Sequence, residues 1–229
     1  TDFHKIVAEM ADIPRSQAKT INLGLFYGMG KGKLMNELDL TKDKADELFK
    51  KYHGRAPFVK QLMNKVMNAA LERGEIKTLL GRRCRFPKYE PILRGNDWGR
   101  YIPPEDEERM KELQDMGPIL MDFENNVIKE KDGTPKKNYW HKNPTRRAFT
   151  YKALNKLIQG SAADMTKKAM VNLYKEGHLS HIQIHDELDF SIESESQAAK
   201  IKQIMEQAVD LEVPNKVDYE SGPNWGEIK

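Results

Sequence analysis

A chain of 229 residues, 38% hydrophobic and 32% charged with a formal net charge of +3, can bury a real core and form one or two domains. The single Cys84 excludes an intramolecular disulfide and fits a reducing, cytoplasmic setting. No apolar run is long enough to span a bilayer and no basic-then-apolar leader opens the chain, so no membrane partner is expected; Thr1 in place of Met implies a cut or processed N-terminus.

In chain order, Ile6, Val7 and Met10 predict a short helix over 2–10, stopped at Asp12-Ile13-Pro14 because the residue before a proline avoids helical dihedrals. A second helix is predicted over 15–27, ended by Gly28, Gly30 and Gly32. It sets Arg15, Lys19, Leu23 and Tyr27 at successive i, i+4 positions, a slowly drifting stripe on one face. Two cations followed by a phenol suit a polyanion at one end and a flat partner at the other; a solvated basic face is the plainer alternative. Thr41 is placed to cap a helix over 42 to about 53, and Pro57 opens a longer one running to Arg73 and stopped by Gly74.

Residues 77–80 and 82–87 read as two extended arms about Gly81. They carry Arg82, Arg83 and Arg85, whose planar guanidiniums match phosphate oxygens. Residues 88–142 read as an irregular insertion with a charged helix near 105–116 and a turn at Asp132-Gly133. Asn143-Pro144 reads as the cap and first position of a long helix through Arg146, Asn155 and Gln159 to Lys175, closed by Gly177. Gly160-Ser161-Ala162-Ala163 in its middle leaves room for another backbone or a ligand. Ser194 is placed to cap a helix to about 209, and 213–220 offers a last strand before Gly222-Pro223.

Over 182–192 apolar residues alternate around His185-Asp186-Glu187. As one unbroken strand the pattern puts Asp186 on the apolar face, where a lone carboxylate is expensive. A hairpin with 185–187 as a three-residue connection instead pairs Ile184 with Leu188 and Ile182 with Phe190, leaving the carboxylates at the tip. Hard acidic ligands there suit magnesium, which keeps several waters or phosphate oxygens in its shell. His178, His181 and His185 beside Asp186 are candidate zinc ligands, but Gly177 and the alternation after His181 break the helical spacing that would align them. No phosphate-cradling Gly-x-x-x-x-Gly-Lys, His-Glu-x-x-His or Gly-x-Ser-x-Gly motif occurs. A metal-binding carboxylate, a cationic helix face and an arginine turn make phosphoryl transfer on a nucleotide or nucleic acid the leading class. A non-catalytic nucleic-acid-binding module is the competitor.

From Arg15 to Gly28 the chain shows the pattern Arg, three residues, Lys, seven residues, Tyr-Gly, with Asp2-Phe3-His4 before it. Thr78-Leu79-Leu80-Gly81-Arg82-Arg83, Asn155 with Gln159-Gly160, Ile184-His185-Asp186-Glu187 and Gly222-Pro223-Asn224-Trp225 follow in order. This ordered set resembles the family A DNA polymerases, which include bacterial DNA polymerase I and several phage replicases. The resemblance spans nearly the whole chain apart from 88–142, which looks longer than usual. It implies an α+β fold: mostly helical fingers over 1–145, then over 146–229 a long helix and the C-terminal part of a palm, with a small antiparallel sheet that includes the hairpin at 182–192. It also implies template-directed, two-metal nucleotidyl transfer from a dNTP to a primer 3′ hydroxyl.

Under that resemblance His4, Arg15 and Lys19 hold the triphosphate, Leu23 and Tyr27 line the nucleotide pocket, and Asp186 ligates Mg2+ with Glu187 in support. His185 lies near the primer terminus, Arg82 and Arg83 contact DNA, and Asn155 and Gln159 face the template–primer minor groove. Two departures stand out. The family's other metal-binding aspartate lies N-terminal to the segment at His4, so the implied partners are primer-template DNA, dNTP and an N-terminal polymerase segment, in the same polypeptide or a separate chain. Without that segment the chain is expected to be inactive. Leu23 stands where the family usually has Phe or Tyr. The run 153–159 looks phage-like, which would place the protein in a host cytoplasm.

Overall fold

A computed structural model describes residues 4–5, 8–9, 13–26, 31–55 and 57–227. They group into two compact units, one of Thr1–Ile76 with Arg83–Lys156 and one of Lys77–Arg82 with Leu157–Lys229.

The first unit opens with residues 4–5 and 8–9, which are helical, followed by α1 (Arg15–Phe26), α2 (Lys31–Leu38), α3 (Lys42–Arg55) and α4 (Pro57–Arg73). Their apolar faces meet in a core of Ala8, Ala18, Ile21, Leu34, Leu48, Tyr52 and Val59. Each large side chain fully buried there contributes about 1.5–3 kcal/mol relative to exposure. α2 has no counterpart in the elements predicted above. The glycines at 28, 30 and 32 read as a terminator, whereas Leu34 and Leu38 form the i, i+4 pair that seats the helix on the core. Thr41 caps α3 as expected, its Oγ accepting the Lys44 N–H at 3.5 Å.

α4 stops at Gly74, whose φ of +71° is open to glycine and whose carbonyl accepts the Phe86 N–H at 2.8 Å. A Cβ at Gly74 would lie 2.6 Å from the Arg147 guanidinium carbon, the far end of a flexible side chain, so the positive φ more than the space calls for glycine. β1 (Glu75–Lys77) then pairs with β2 (Arg83–Arg85), and β3 (Tyr89–Pro91) pairs antiparallel with β4 (Thr145–Arg147). Between β3 and β4, α5 (Glu107–Asp115) starts at Asp106, whose carboxylate accepts the Arg109 N–H. α5 packs Met110 and Leu113 against Trp140 in a second small core. The rest of this segment folds on itself through bridges Ile119↔Lys137, Met121↔Val127 and Lys129↔Pro135, and turns at Asp132-Gly133 as expected.

The long helix expected to open at Asn143-Pro144 begins instead at Ala153. Residues 145–147 are taken into the ladder with β3. Asn143 donates to the Tyr139 carbonyl at 2.9 Å rather than capping a helix, and Phe149 turns the chain with a left-handed φ of 61°. α6 (Ala153–Lys175) follows; its first turn groups with the first unit and the rest with the second.

In the second unit α6 ends in a Schellman-type closure at Gly177, φ +81°, with the His178 N–H bonded to the Leu173 carbonyl at 2.9 Å. β5 (Ile182–Ile184) and β6 (Glu187–Asp189) form the antiparallel hairpin, and α7 (Glu195–Glu206) is capped by Ser194. The strand expected over 213–220 does not form; those residues run without a ladder partner. Pro214 has no N–H to give, and the Val217 N–H goes to the Glu206 carboxylate at 3.0 Å. Mixed helices with small antiparallel pairs make this an α+β chain, and no helix among the described residues is long and apolar enough to cross a membrane.

Candidate active site

α1 buries Ala18, Ile21 and Asn22 and leaves Arg15 and Lys19 exposed on successive turns. A face with two cations one turn apart suits an anion with several oxygens, because each cation can bind a different one. His4 is brought to this helix. Its Nδ1 lies 3.1 Å from the Asn22 amide nitrogen, and with the amide donating, the imidazole carries its proton on Nε2. Asn22 was not singled out from the sequence; its place one turn beyond Lys19 was the available signal. Its Oδ1 is buried with no hydrogen-bond partner among the described residues. Leu23 is a helical residue of α1 whose side chain lies outside the described part, and Tyr27 lies outside the described residues altogether.

At the hairpin the register departs from expectation. Ile184 pairs with Glu187, Gln183 with Leu188 and Ile182 with Asp189, so the connection is the two residues His185-Asp186 and not three. The physical reason is local. His185 takes φ +52°, the left-handed conformation a two-residue hairpin demands, at about 1–2 kcal/mol for a residue with a Cβ. The Gln183 amide nitrogen donates to the His185 carbonyl at 2.6 Å and holds the turn that no Gly or Asn provides. Asp186 therefore sits at the apex with His185, while Glu187 begins β6; all three are exposed. His181 is engaged elsewhere, its Nε2 3.1 Å from Ser191 Oγ, and among the described residues no group of three or more His, Cys, Asp or Glu gathers as a metal cage. The histidine-based zinc alternative therefore lacks a ligand cluster here.

The arginine turn is the best-defined polar cluster. The Thr78 N–H bonds the Arg82 carbonyl at 2.9 Å and Gly81 takes φ +85°, which closes 78–82 into a tight loop. Asp164, on α6 and only 8% exposed, accepts the Thr78 hydroxyl at 2.5 Å and the Arg82 Nε at 2.7 Å. Arg82 Nη2 donates to the Gly160 carbonyl at 2.9 Å, and Ser161 Oγ accepts the Leu79 N–H at 3.0 Å. Gly160 permits this approach: a Cβ there would lie 2.9 Å from Thr78 Cγ2 and 3.2 Å from Arg82 Nη2. What comes close to the small-residue stretch of α6 is thus the chain's own arginine turn. Burial pushes the Asp164 carboxyl up, but the Thr78 and Arg82 hydrogen bonds and the charges of Arg82 and Lys167 outweigh it and hold the group below its ordinary value.

Asp164 was absent from the residues the sequence suggested. Its signal was a lone acid one turn past Gly160 on a helix whose other charged residues are all lysines. Arg83, in β2, lies 3.4 Å from Glu75, the arginine exposed and the glutamate half-buried, a near-surface pair of small energetic weight. Along α6, Asn155 is half-buried and Gln159, one turn on, is exposed.

Residues 2–227 match the family model for DNA polymerase family A. The chain belongs to DNA polymerase family A. It is 32% identical over 260 residues to a DNA-directed DNA polymerase of Pseudomonas phage M6, an overlap that covers 99% of this chain and 31% of that one. Against DNA polymerase I of Geobacillus stearothermophilus it is 31% identical over 237 residues, covering 99% of this chain and 21% of the relative. Among solved structures, the POL domain of Pol1 from M. smegmatis in complex with DNA primer-template and dNTP shares the fold, with a TM-score of 0.60 at 24% identity over 93% of this chain and 32% of that chain. The family A chain described here thus spans about a third or less of the length of these relatives.

Proposed function

We propose that this chain supplies the fingers and the C-terminal part of the palm of a template-directed DNA polymerase, which joins a dNTP to a primer 3′ hydroxyl. The observation that carries the reading is family membership together with an exposed Arg15/Lys19 face on α1 and an exposed Asp186-Glu187 pair at the β5–β6 tip. In this reading residues 1–145 are fingers and 146–229 the long helix and palm portion, and an N-terminal segment bearing a second carboxylate completes the site.

The donor set at the tip fits magnesium in kind, since Asp186 and Glu187 offer hard oxygens in solvent reach and a bound Mg2+ takes only one or two carboxylates beside water and phosphate oxygens. When bound, two such ions lower the barrier by activating the 3′ hydroxyl and stabilising the departing pyrophosphate. The chain's own residues do the positioning. Arg15 and Lys19 neutralise and orient the triphosphate, with His4 held at α1 by Asn22. Leu23 and Tyr27 bound the base and sugar. His185 meets the primer terminus, Asp186 binds the metal with Glu187 beside it, and Arg82, Arg83, Asn155 and Gln159 hold the primer-template.

A non-catalytic module that only grips the DNA backbone would share the salt dependence of DNA binding, so nucleotide binding is the discriminating test. Titration of dNTP into the chain should show binding that EDTA weakens and that Lys19→Ala weakens further. Affinity indifferent to both would contradict the reading.

A further inference from the structure

Arg82 sits in a geometry that most surface arginines lack. One edge of its guanidinium is committed within the second unit, Nε to Asp164 at 2.7 Å and Nη2 to the Gly160 carbonyl at 2.9 Å, yet the side chain remains 47% exposed. Asp164 is the opposite case. It is almost wholly buried, and it is itself fixed by the Thr78 hydroxyl and by its place on a long helix. A buried carboxylate holding the inner edge of a half-exposed arginine fixes the direction of the outer edge. An arginine's planar fork gains geometric specificity toward phosphate only when its plane is set. The pair also nearly cancels in charge, so what it offers a polyanion is orientation more than net attraction.

We infer that Asp164 is a positioning residue: through the Nε contact it holds the Arg82 guanidinium in the orientation that grips a backbone phosphate of primer-template DNA, with Thr78 bracing Asp164. This rests on the polymerase reading for the identity of the polyanion. It makes a prediction opposite to simple electrostatics. Removing a negative charge beside a DNA-binding arginine should tighten binding if only charge matters. Removing it should loosen binding if the carboxylate sets the arginine's direction.

The test is equilibrium binding of a primer-template duplex by the full chain across a range of salt, for Asp164→Asn, Arg82→Ala and the double variant, with far-UV circular dichroism to confirm folding. Arg82→Ala should weaken binding about tenfold and flatten the dependence on log salt by about one phosphate contact. Asp164→Asn should weaken it comparably and flatten the slope alike, despite the gain in net positive charge. In the Arg82→Ala background the Asp164→Asn change should move Kd by less than about twofold, the mark of a shared pathway. Thr78→Val, which removes a brace without altering charge, should weaken binding by about twofold only while Arg82 is present, and it carries the test should Asp164→Asn not fold. Tighter binding by Asp164→Asn, or equal losses with and without Arg82, would overturn the assignment. Absence of salt-dependent binding by the unaltered chain would overturn the polymerase reading itself, and the role of Asp164 on DNA with it.

Discussion

Gly160→Ala should destabilise the chain even though alanine is the better helix former. A Cβ at this position lies 2.9 Å from Thr78 Cγ2, whereas carbon–carbon contacts settle at about 3.5–4.0 Å, so some part must move by about 0.6 Å or more. Thr78 is poorly placed to yield, since its hydroxyl is bonded to Asp164 and its N–H to the Arg82 carbonyl. Overpacking of this kind costs about 1–3 kcal/mol. Replacing glycine in a helix returns up to about 1 kcal/mol, leaving a net loss of about 0–2 kcal/mol. Gly54, helical in α3 with nothing within 4 Å of its added Cβ, supplies the internal control. Gly54→Ala gains propensity without a clash and should stabilise by up to about 1 kcal/mol. The two variants should therefore differ by about 1–3 kcal/mol. Urea unfolding followed by circular dichroism measures this, with the transitions of the two units fitted separately where they separate. A Gly160→Ala chain as stable as Gly54→Ala would refute the close packing of the arginine turn on α6.

His53 has its pKa lowered from 6.5, first by burial and then by the charge of Lys60. The unfolded chain therefore binds more protons than the folded one below that value, so this contribution to stability is full above pH 6.5 and is lost as pH falls toward the folded pKa. The urea midpoint of the first unit should fall between about pH 7 and about pH 5 and do so less steeply in His53→Gln; an unchanged slope would refute the link. In the completed polymerase, Lys19→Ala should raise the KM for dNTP more than it lowers primer-template affinity, which steady-state kinetics with each substrate varied would show. Leu23→Tyr should change the incorporation rate and the discrimination between deoxy and dideoxy nucleotides more than Leu23→Phe does, because only Tyr adds a hydroxyl beside the sugar. Single-nucleotide incorporation indistinguishable among the three would place residue 23 outside the pocket.

Local chemistry was legible where one element carries its own reason. The stripe through Arg15 and Lys19, the Thr41 cap, the Pro57 start and the Gly177 stop all stand in the structure because apolar period and capping are read within a few residues. The misreadings share a different cause. Asn143-Pro144 has the chemistry of a helix start, but pairing of 145–147 with Tyr89–Pro91 overrides it, and no local pattern reveals a partner more than fifty positions away. The hairpin slipped by one residue because His185 accepts a left-handed backbone that composition does not advertise. Asp164 went unseen for the plainest reason: its partners Thr78 and Arg82 lie 86 and 82 residues back, and only the fold brings them together.

The central claim, that this chain is one part of a two-metal DNA polymerase, is tested most directly by primer extension with Mg2+ and dNTPs, run on the chain alone and with an N-terminal polymerase segment bearing the second aspartate. The account predicts negligible synthesis by the chain alone, templated synthesis on adding the segment, and near-complete loss of that synthesis in Asp186→Asn with primer-template binding retained. Robust extension by the chain alone, or an Asp186→Asn variant that extends primers as well as the unaltered chain, would contradict it.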